Sequence, residues 1–419
     1  MPDRLKRLFK RFGPGIITGA SDDDPSGIAT YSQAGASLGY SMLWTALLTF
    51  PLMATIQEMC ARIGLVTHKG LAGNIKAHYK SKILLYFLAI LIIVSTSINI
   101  GADLAGMAAA IKLLLPIPPV LAAIVITAFV IFAMVYFPYK FIAAKLKWLT
   151  FALFAYIAAA LIVKQDWTQI AYHTFVPSFT LNKDALMIIV AILGTTISPY
   201  LFFWQTSEEV EEIQEREHEK HSQIIVTKHE LKAVKDDVNL GMLFSNVVMF
   251  AIIATTASTL FRSGVHEIIT ADQAAKTLEP IAGRASSLLF TLGIVGTGLL
   301  AIPVLAGAAA YPIAEIFGWR EGLNKSFRKA NHFYAVIIFS TVIGFLMTLV
   351  NINPFKALLY TAVIYGLISP ILILFILLIS NSKKIMGAYT NTRFTNMLGI
   401  ITLILMTAAA GAFLLNLNT

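Results

Sequence analysis

The stretch Ser21-Asp22-Asp23-Asp24-Pro25-Ser26-Gly27 lies inside the first long apolar segment of the chain, near residues 14–36. Three consecutive carboxylates within a membrane span are costly, on the order of 2.5–3.5 kcal/mol each on insertion scales. Pro25 removes a helical hydrogen bond and biases Asp24 away from the α region. Gly27 loosens the chain further. This segment is therefore expected to unwind at mid-membrane and to place a carboxylate at the break. Freed carbonyls are tolerated at that depth only where they line a cavity or bind something. A carboxylate beside free carbonyls is an oxygen-rich site for a hard cation.

A second stretch matches the first. Gly194-Thr195-Thr196-Ile197-Ser198-Pro199-Tyr200 interrupts the sixth apolar segment, five segments later. Discontinuous first helices in two five-helix halves mark an inverted-repeat transporter, with the cargo held between the breaks. A proline that merely kinks a packed helix is the alternative for either site taken alone.

Composition agrees with a membrane protein. Of 419 residues, 57% are hydrophobic and only 13% are charged, and the mean hydropathy is +0.74. A soluble fold has too little polar surface to cover such a chain. An ordinary cytosolic enzyme, a nucleic-acid binder and a disordered tail are excluded on that ground. Cys60 is the only cysteine, so neither an intramolecular disulfide nor a cysteine metal cage is available.

Eleven spans are expected, near 14–36, 42–66, 83–113, 119–138, 142–163, 186–206, 240–261, 286–309, 332–351, 357–380 and 396–416. The first follows a basic leader without a small-residue cleavage site, so no signal peptide is expected. With the N-terminus in the cytoplasm, the loops hold 24 Lys and Arg inside and seven outside. The positive-inside rule then gives an N-inside, C-outside chain. The net charge of +9 is read as a record of this topology. The longest inside loop, 207–238, opens with Glu208, Glu209, Glu211, Glu212, Glu215, Glu217 and Glu219. It is expected to be a solvated extension of the sixth span held by i,i+4 pairs, a regulatory metal sensor being the alternative.

At the two broken helices the chain resembles the NRAMP family of divalent-metal transporters. The resemblance starts at Gly13-Pro14-Gly15, runs through Asp24-Pro25, and continues with Gln33-Ala34-Gly35, Gly39-Tyr40, Leu43-Trp44 and Ala61-Arg62-Ile63-Gly64. It implies an all-α integral membrane protein of the LeuT type, with 11 transmembrane helices and inverted repeats over spans 1–5 and 6–10. Residues 1–419 would form one transporter domain, with repeats at about 13–163 and 186–380 and an extra span at about 396–416. Members of the family typically co-transport protons with Mn²⁺ or Fe²⁺.

The departures from the family pattern bear on the cargo. The family's Asp-Pro-Gly-Asn reads Asp24-Pro25-Ser26-Gly27 here, without the Asn ligand. The family's Met-Pro-His reads Ser198-Pro199-Tyr200, without the sulfur, and a second family histidine aligns with Gln205. The span 3 Asp-Leu-Ala-Glu reads Asp103-Leu104-Ala105-Gly106, so the proton-route Glu is lost. This pattern resembles the NRAMP-related magnesium transporters, a prokaryotic branch. A thioether favours transition metals, whereas carboxylate, carbonyl and water favour Mg²⁺, Ca²⁺ or Mn²⁺. The small residues Gly27 and Ser198 are expected to widen the site enough for a partly hydrated ion. Loss of titratable groups implies weak or absent proton coupling.

The expected metal ligands are Asp24, the Ser198 hydroxyl, the Thr195 backbone carbonyl and the site at Gly27. Asp22 and Asp23 would add to the negative field, with protonation or pairing within the bundle as the alternative. Tyr200 and Gln205 would line the cavity. Asp103 and Glu58 are candidates for a polar path, although Glu58 also stands one helical turn from Arg62, where an ion pair is expected. No histidine pair with zinc-ligand spacing occurs on a membrane face. The expected function is import of Mg²⁺, and also Mn²⁺, by alternating access. A proton-coupled Mn²⁺ transporter is the alternative within the class, and a cation channel is the alternative outside it. No enzyme motif is present. The expected partners are the transported ion and the lipid bilayer of a prokaryotic plasma membrane, with no cofactor, no nucleic acid and no obligate protein partner.

Overall fold

The computed structural model describes residues 14–79, 81–139, 141, 152–178, 182–220, 226–350 and 352–416, with the side chains of 219–220 excluded. The basic leader falls outside these residues, as does 142–151 of the expected fifth span. Among the described residues the chain is helical and contains no strand. Among the described residues, nine stretches are long and apolar enough to cross a membrane. One of them, Pro25–Thr67, contains both the second half of expected span 1 and all of span 2.

The first expected span is two half-helices, α1 (Pro14–Asp22) and α2 (Pro25–Leu38). Asp24 caps α2 and Pro25 follows at the first helical position, where its missing N–H costs nothing. Then come α3 (Leu43–Thr67), α4 (Leu71–Tyr79), α5 (Lys82–Lys112), α6 (Pro119–Tyr136), α7 (Phe154–Ile162) and α8 (Trp167–Phe175). The second break separates α9 (Lys183–Thr196) from α10 (Pro199–Lys220). The chain continues through α11 (Lys228–Thr259), α12 (Ser286–Phe317), α13 (Asn331–Thr348), α14 (Pro354–Asn381) and α15 (Arg393–Asn416), with short helical turns between some of them.

The broken first span sits at the centre of the bundle. Its first half packs on α11 and α10, and its second half on α11, α14, α9 and α5. The approach of α1 to α11 is backbone to backbone. Gly15 and Gly19, four residues apart, face Val238 and Gly241, and a Cβ at Gly19 would collide with the Gly241 backbone. Such a small-residue seam is how membrane helices gain contact without a hydrophobic driving force. The outer faces are apolar: Ile83, Leu161 and Leu415 are 84%, 68% and 75% exposed, as suits side chains that face lipid.

The connections segregate to two ends, as the alternation of spans requires. At one end Gln33 holds the His266 carbonyl at 3.0 Å and the Ile268 amide at 2.9 Å. Lys356 pairs with Glu267 at 3.0 Å, and Asn353 reaches the Ile269 carbonyl at 2.8 Å. A cavity of about 330 Å³ opens there, with Ala29, Gln33, His266 and Lys356 in its lining. At the other end Glu315 accepts from the Gly73 amide at 2.9 Å. There Arg62 pairs with Glu58 and also holds the Tyr389 carbonyl and the Asn391 side chain.

Helix α10 carries the glutamate run as one continuous helix out to Lys220, as the reading of a helical extension requires. Its contacts also reach beyond the helix. Glu211 accepts from the Tyr311 hydroxyl and from the amides of Leu323 and Asn324, and Arg216 pairs with Glu230 of α11 at 2.7 Å. The helix is therefore docked onto the loop after α12 rather than solvated on all sides.

In that loop, burial and the nearby carboxylates of Glu315 and Glu211 push the Glu321 carboxyl up to about 9. The native state thus holds a proton that the unfolded chain releases above its ordinary value near 4.5. Stability is complete below about 4.5 and falls as pH rises toward about 9. Glu321→Gln is expected to remove this loss. Near pH 9 its melting temperature should exceed that of the parent by on the order of 2 °C, and near pH 5 the two should coincide. Thermal unfolding in detergent at both pH values checks this.

Candidate functional site

The site is built from the first break outward. The Asp24 Oδ1 accepts from the Ser26 hydroxyl at 2.7 Å and from the Gly27 amide at 2.8 Å. Its Oδ2 accepts from the Asn99 side-chain amide of α5 at 2.9 Å, and the same amide reaches the Asp103 Oδ2 at 3.1 Å. Asn99 thus joins the two carboxylates, while its own Oδ1 and the Asp103 Oδ1 stay buried without a partner. Asp24 is 1% exposed, and Asn99 and Asp103 are fully buried. Buried polar atoms left without partners are costly, and clusters of them mark functional sites.

The second break faces the first. Ile197 and Ser198 separate the two half-helices, and Pro199 supplies no N–H. Hydroxyl groups close its freed carbonyls. Ser198 donates to the Gly194 and Thr195 carbonyls at 3.0 and 2.6 Å, and Ser369 of α14 donates to the Ile197 carbonyl at 2.7 Å. Two of the expected ligands, Ser198 and the Thr195 carbonyl, therefore bond each other in this conformation. Tyr200 donates to the Ser21 carbonyl at 3.0 Å and so links the two breaks.

Gly27 does not widen the site. A Cβ there would meet the Asp22 carbonyl oxygen at 3.2 Å, the Thr195 hydroxyl at 3.3 Å and the Tyr31 ring at 3.4 Å. The space left by a missing side chain is taken up by neighbours, because close-packed interiors do not keep voids. Gly106, where the family has Glu, is likewise backed by Leu358, 2.9 Å from the position of a Cβ.

The three consecutive carboxylates separate. Asp24 turns to α5, whereas Asp22 and Asp23 turn to Ser245 of α11, at 2.6 and 3.2 Å. Gln205 accepts from the Thr18 hydroxyl and donates to Glu209 at 2.9 Å, one turn along from the breaks. Glu58 is bidentate to Arg62, at 2.9 and 3.3 Å. Its bonds point to the end of the bundle and not toward Asp103, so those two residues share no hydrogen-bonded path. Among the described residues no group of three or more His, Cys, Asp or Glu is disposed to hold a metal. Any ion here would need a mixed set of carboxylate, carbonyl, hydroxyl and amide oxygens.

Asn99 and Ser245 are the residues that motif reading misses. Asn99 nonetheless carried a signal, since Ser95, Asn99 and Asp103 form a polar stripe at four-residue spacing in an apolar span. Asn99→Ala would leave the buried Asp24 and Asp103 oxygens without their donor, at a cost of about 1–3 kcal/mol. It is expected to weaken the apparent affinity for the transported ion by about tenfold. Uptake measured against ion concentration checks this, and an unchanged KM would assign Asn99 to packing alone.

Two mid-membrane breaks facing each other across a buried carboxylate, in a helical bundle with lipid-facing flanks, define a membrane transporter of the LeuT type and not an enzyme. Comparison with known proteins narrows the class. Residues 15–416 match the family model described as natural resistance-associated macrophage protein-like, Nramp. A divalent metal cation transporter MntH of Caldanaerobacter subterraneus subsp. tengcongensis is 27% identical over 404 residues, covering 95% of this chain and 90% of that one. The solved manganese transporter of Eremococcus coleocola has a TM-score of 0.74 at 20% identity, covering 97% of this chain and 86% of that one. Mhp1, a nucleobase-cation-symport-1 family transporter, has a TM-score of 0.54 at 14% identity, covering 97% and 91%. The chain belongs to the Nramp family.

Proposed function

We propose that this Nramp-family transporter carries divalent metal cations by alternating access across the plasma membrane of a prokaryote, with Mg²⁺ as the preferred cargo. The N-terminus would lie in the cytoplasm and the C-terminus outside. The observation that carries the reading is the Asp24 carboxylate. It is fixed at the first break by Ser26, Gly27 and Asn99 and faces a second break whose polar groups are carbonyl and hydroxyl oxygens that bond one another in this conformation. Oxygen donors suit a hard cation, and Ser198 stands where the family has its soft thioether. The half-helices of the two repeats would rock around this midplane position. Closure of the Gly106 position by Leu358 supports weak or absent proton coupling, since no side chain there can relay a proton.

Mn²⁺ is the second reading, and a specific observation favours it. The space beside Gly27 is filled, which suits an ion that sheds its water more readily than Mg²⁺ does. Purified protein in liposomes loaded with a Mg²⁺-sensitive dye, and in parallel with a pH dye, decides between them. Saturable Mg²⁺ uptake without acidification is expected. Mn²⁺ uptake with acidification and no Mg²⁺ signal would reject the preferred cargo, and uptake of neither ion would reject divalent transport.

A further inference from the structure

We propose that Asp22, Asp23 and Ser245 form a second divalent-cation station, distinct from the Asp24 position, between the breaks and the 207–238 end of the bundle. The proposal rests on the reading that the chain carries divalent cations. The Ser245 hydroxyl contacts the Asp22 Oδ2 at 2.6 Å and the Asp23 Oδ1 at 3.2 Å. One oxygen of each carboxylate is thus tied to the same serine. The other oxygen of each, Asp22 Oδ1 and Asp23 Oδ2, is buried and has no partner. All three residues are fully buried.

An independent group points at the same place. Tyr31, on the other half-helix, is completely buried, and its hydroxyl makes no well-aligned hydrogen bond, the Thr195 side chain lying beside it. That hydroxyl lies within electrostatic reach of Asp22 and Asp23, and also of Asp24. Two free carboxylate oxygens and a phenol oxygen are hard donors of the kind that Mg²⁺ and Mn²⁺ take. Charge selects a dication, because a monovalent ion would leave one buried carboxylate uncompensated.

The surroundings give the station a direction. Thr18 stands one turn from Asp22 along α1, and its hydroxyl bonds Gln205, which bonds Glu209. Further along, the Gly15 amide bonds Asp237 at 2.7 Å. These groups continue the polar file from the break along α1, α10 and α11 toward the 207–238 segment. The glycine seam of α1 on α11 holds Ser245 in register with the two carboxylates.

The test is Mn²⁺ binding to the purified full chain in nanodiscs, followed by electron paramagnetic resonance. The wild type should bind about two ions per chain, with spectral broadening from coupling between the two neighbouring ions. Asp24→Asn and the double variant Asp22→Asn/Asp23→Asn should each retain about one ion and lose the broadening. Ser245→Ala keeps both carboxylates and should weaken one of the two binding events by about tenfold. One bound ion in the wild type, lost in Asp24→Asn and unaltered in the double variant, would overturn the station and leave divalent transport standing. No bound Mn²⁺ in the wild type would overturn both. Should the double variant fail to fold, two unaltered binding events in Ser245→Ala would overturn the station.

Discussion

Asp24→Asn is expected to reduce ion uptake to background while the protein still folds. The substitution separates two duties of one side chain. As a helix cap, Asn serves about as well as Asp, so the start of α2 at Pro25 should survive. The Asn99 side chain can turn its unpartnered Oδ1 toward the new amide, so the link to α5 need not break. What disappears is the negative charge at the first break. A charged contact in a buried site is worth about 1.5–3 kcal/mol, which alone is a factor of about 10–100 in affinity, and the loss of coulombic attraction for a dication adds to it. Liposome uptake and thermal unfolding are measured on the same preparation. A melting temperature within about 3 °C of the parent, with uptake lost, assigns the carboxylate to the cargo. Near-parental uptake would make Asp24 a cap and nothing more.

Gly19→Ala is expected to be among the more damaging small substitutions in the bundle. Its methyl group has no flexible neighbour to displace, because what it meets is the Gly241 backbone. Either α1 moves off α11 or the seam opens along its length. Overpacking of this kind costs about 1–3 kcal/mol, or about 1–4 °C in melting temperature for a chain of this length. Displacement of α1 also carries Asp22 and Asp23 away from Ser245, so uptake should fall together with stability. Gly411→Ala in α15 is the matched control. Nothing lies within 4 Å of its Cβ position, and alanine there should be neutral or stabilising by up to about 1 kcal/mol. Equal melting temperatures for the two variants would show that the seam tolerates separation.

The breaks are legible in sequence because their causes are local. Proline without an N–H and an Asp cap act within four residues, and the structure interrupts both helices at Asp23–Asp24 and Ile197–Ser198. The Glu58–Arg62 pair is legible for the same reason, since one helical turn separates its members. What a carboxylate faces across the bundle is not local. Three neighbours in sequence, Asp22, Asp23 and Asp24, part company because the helix ends between them, and their partners Ser245 and Asn99 come from helices far along the chain. Absence of a side chain is the least legible signal. Gly27 suggests room, yet the Tyr31 ring and the Thr195 hydroxyl occupy it. The glutamate run is read correctly as helix but not as docked, because the amides of Leu323 and Asn324 that receive Glu211 belong to a distant loop.

Cys60 is fully buried in α3. A chain whose one thiol is shielded is already suited to site-directed labelling. A cysteine placed at Ala29 or Gln33, in the lining of the cavity at one end, would be the sole target of a membrane-impermeant maleimide. One at Gln214, beside the cavity at the opposite end, would be the sole target from the other side. The ratio of the two labelling rates, followed as Mg²⁺ or Mn²⁺ is added, would report which face of the transporter is open without any mutation to remove background.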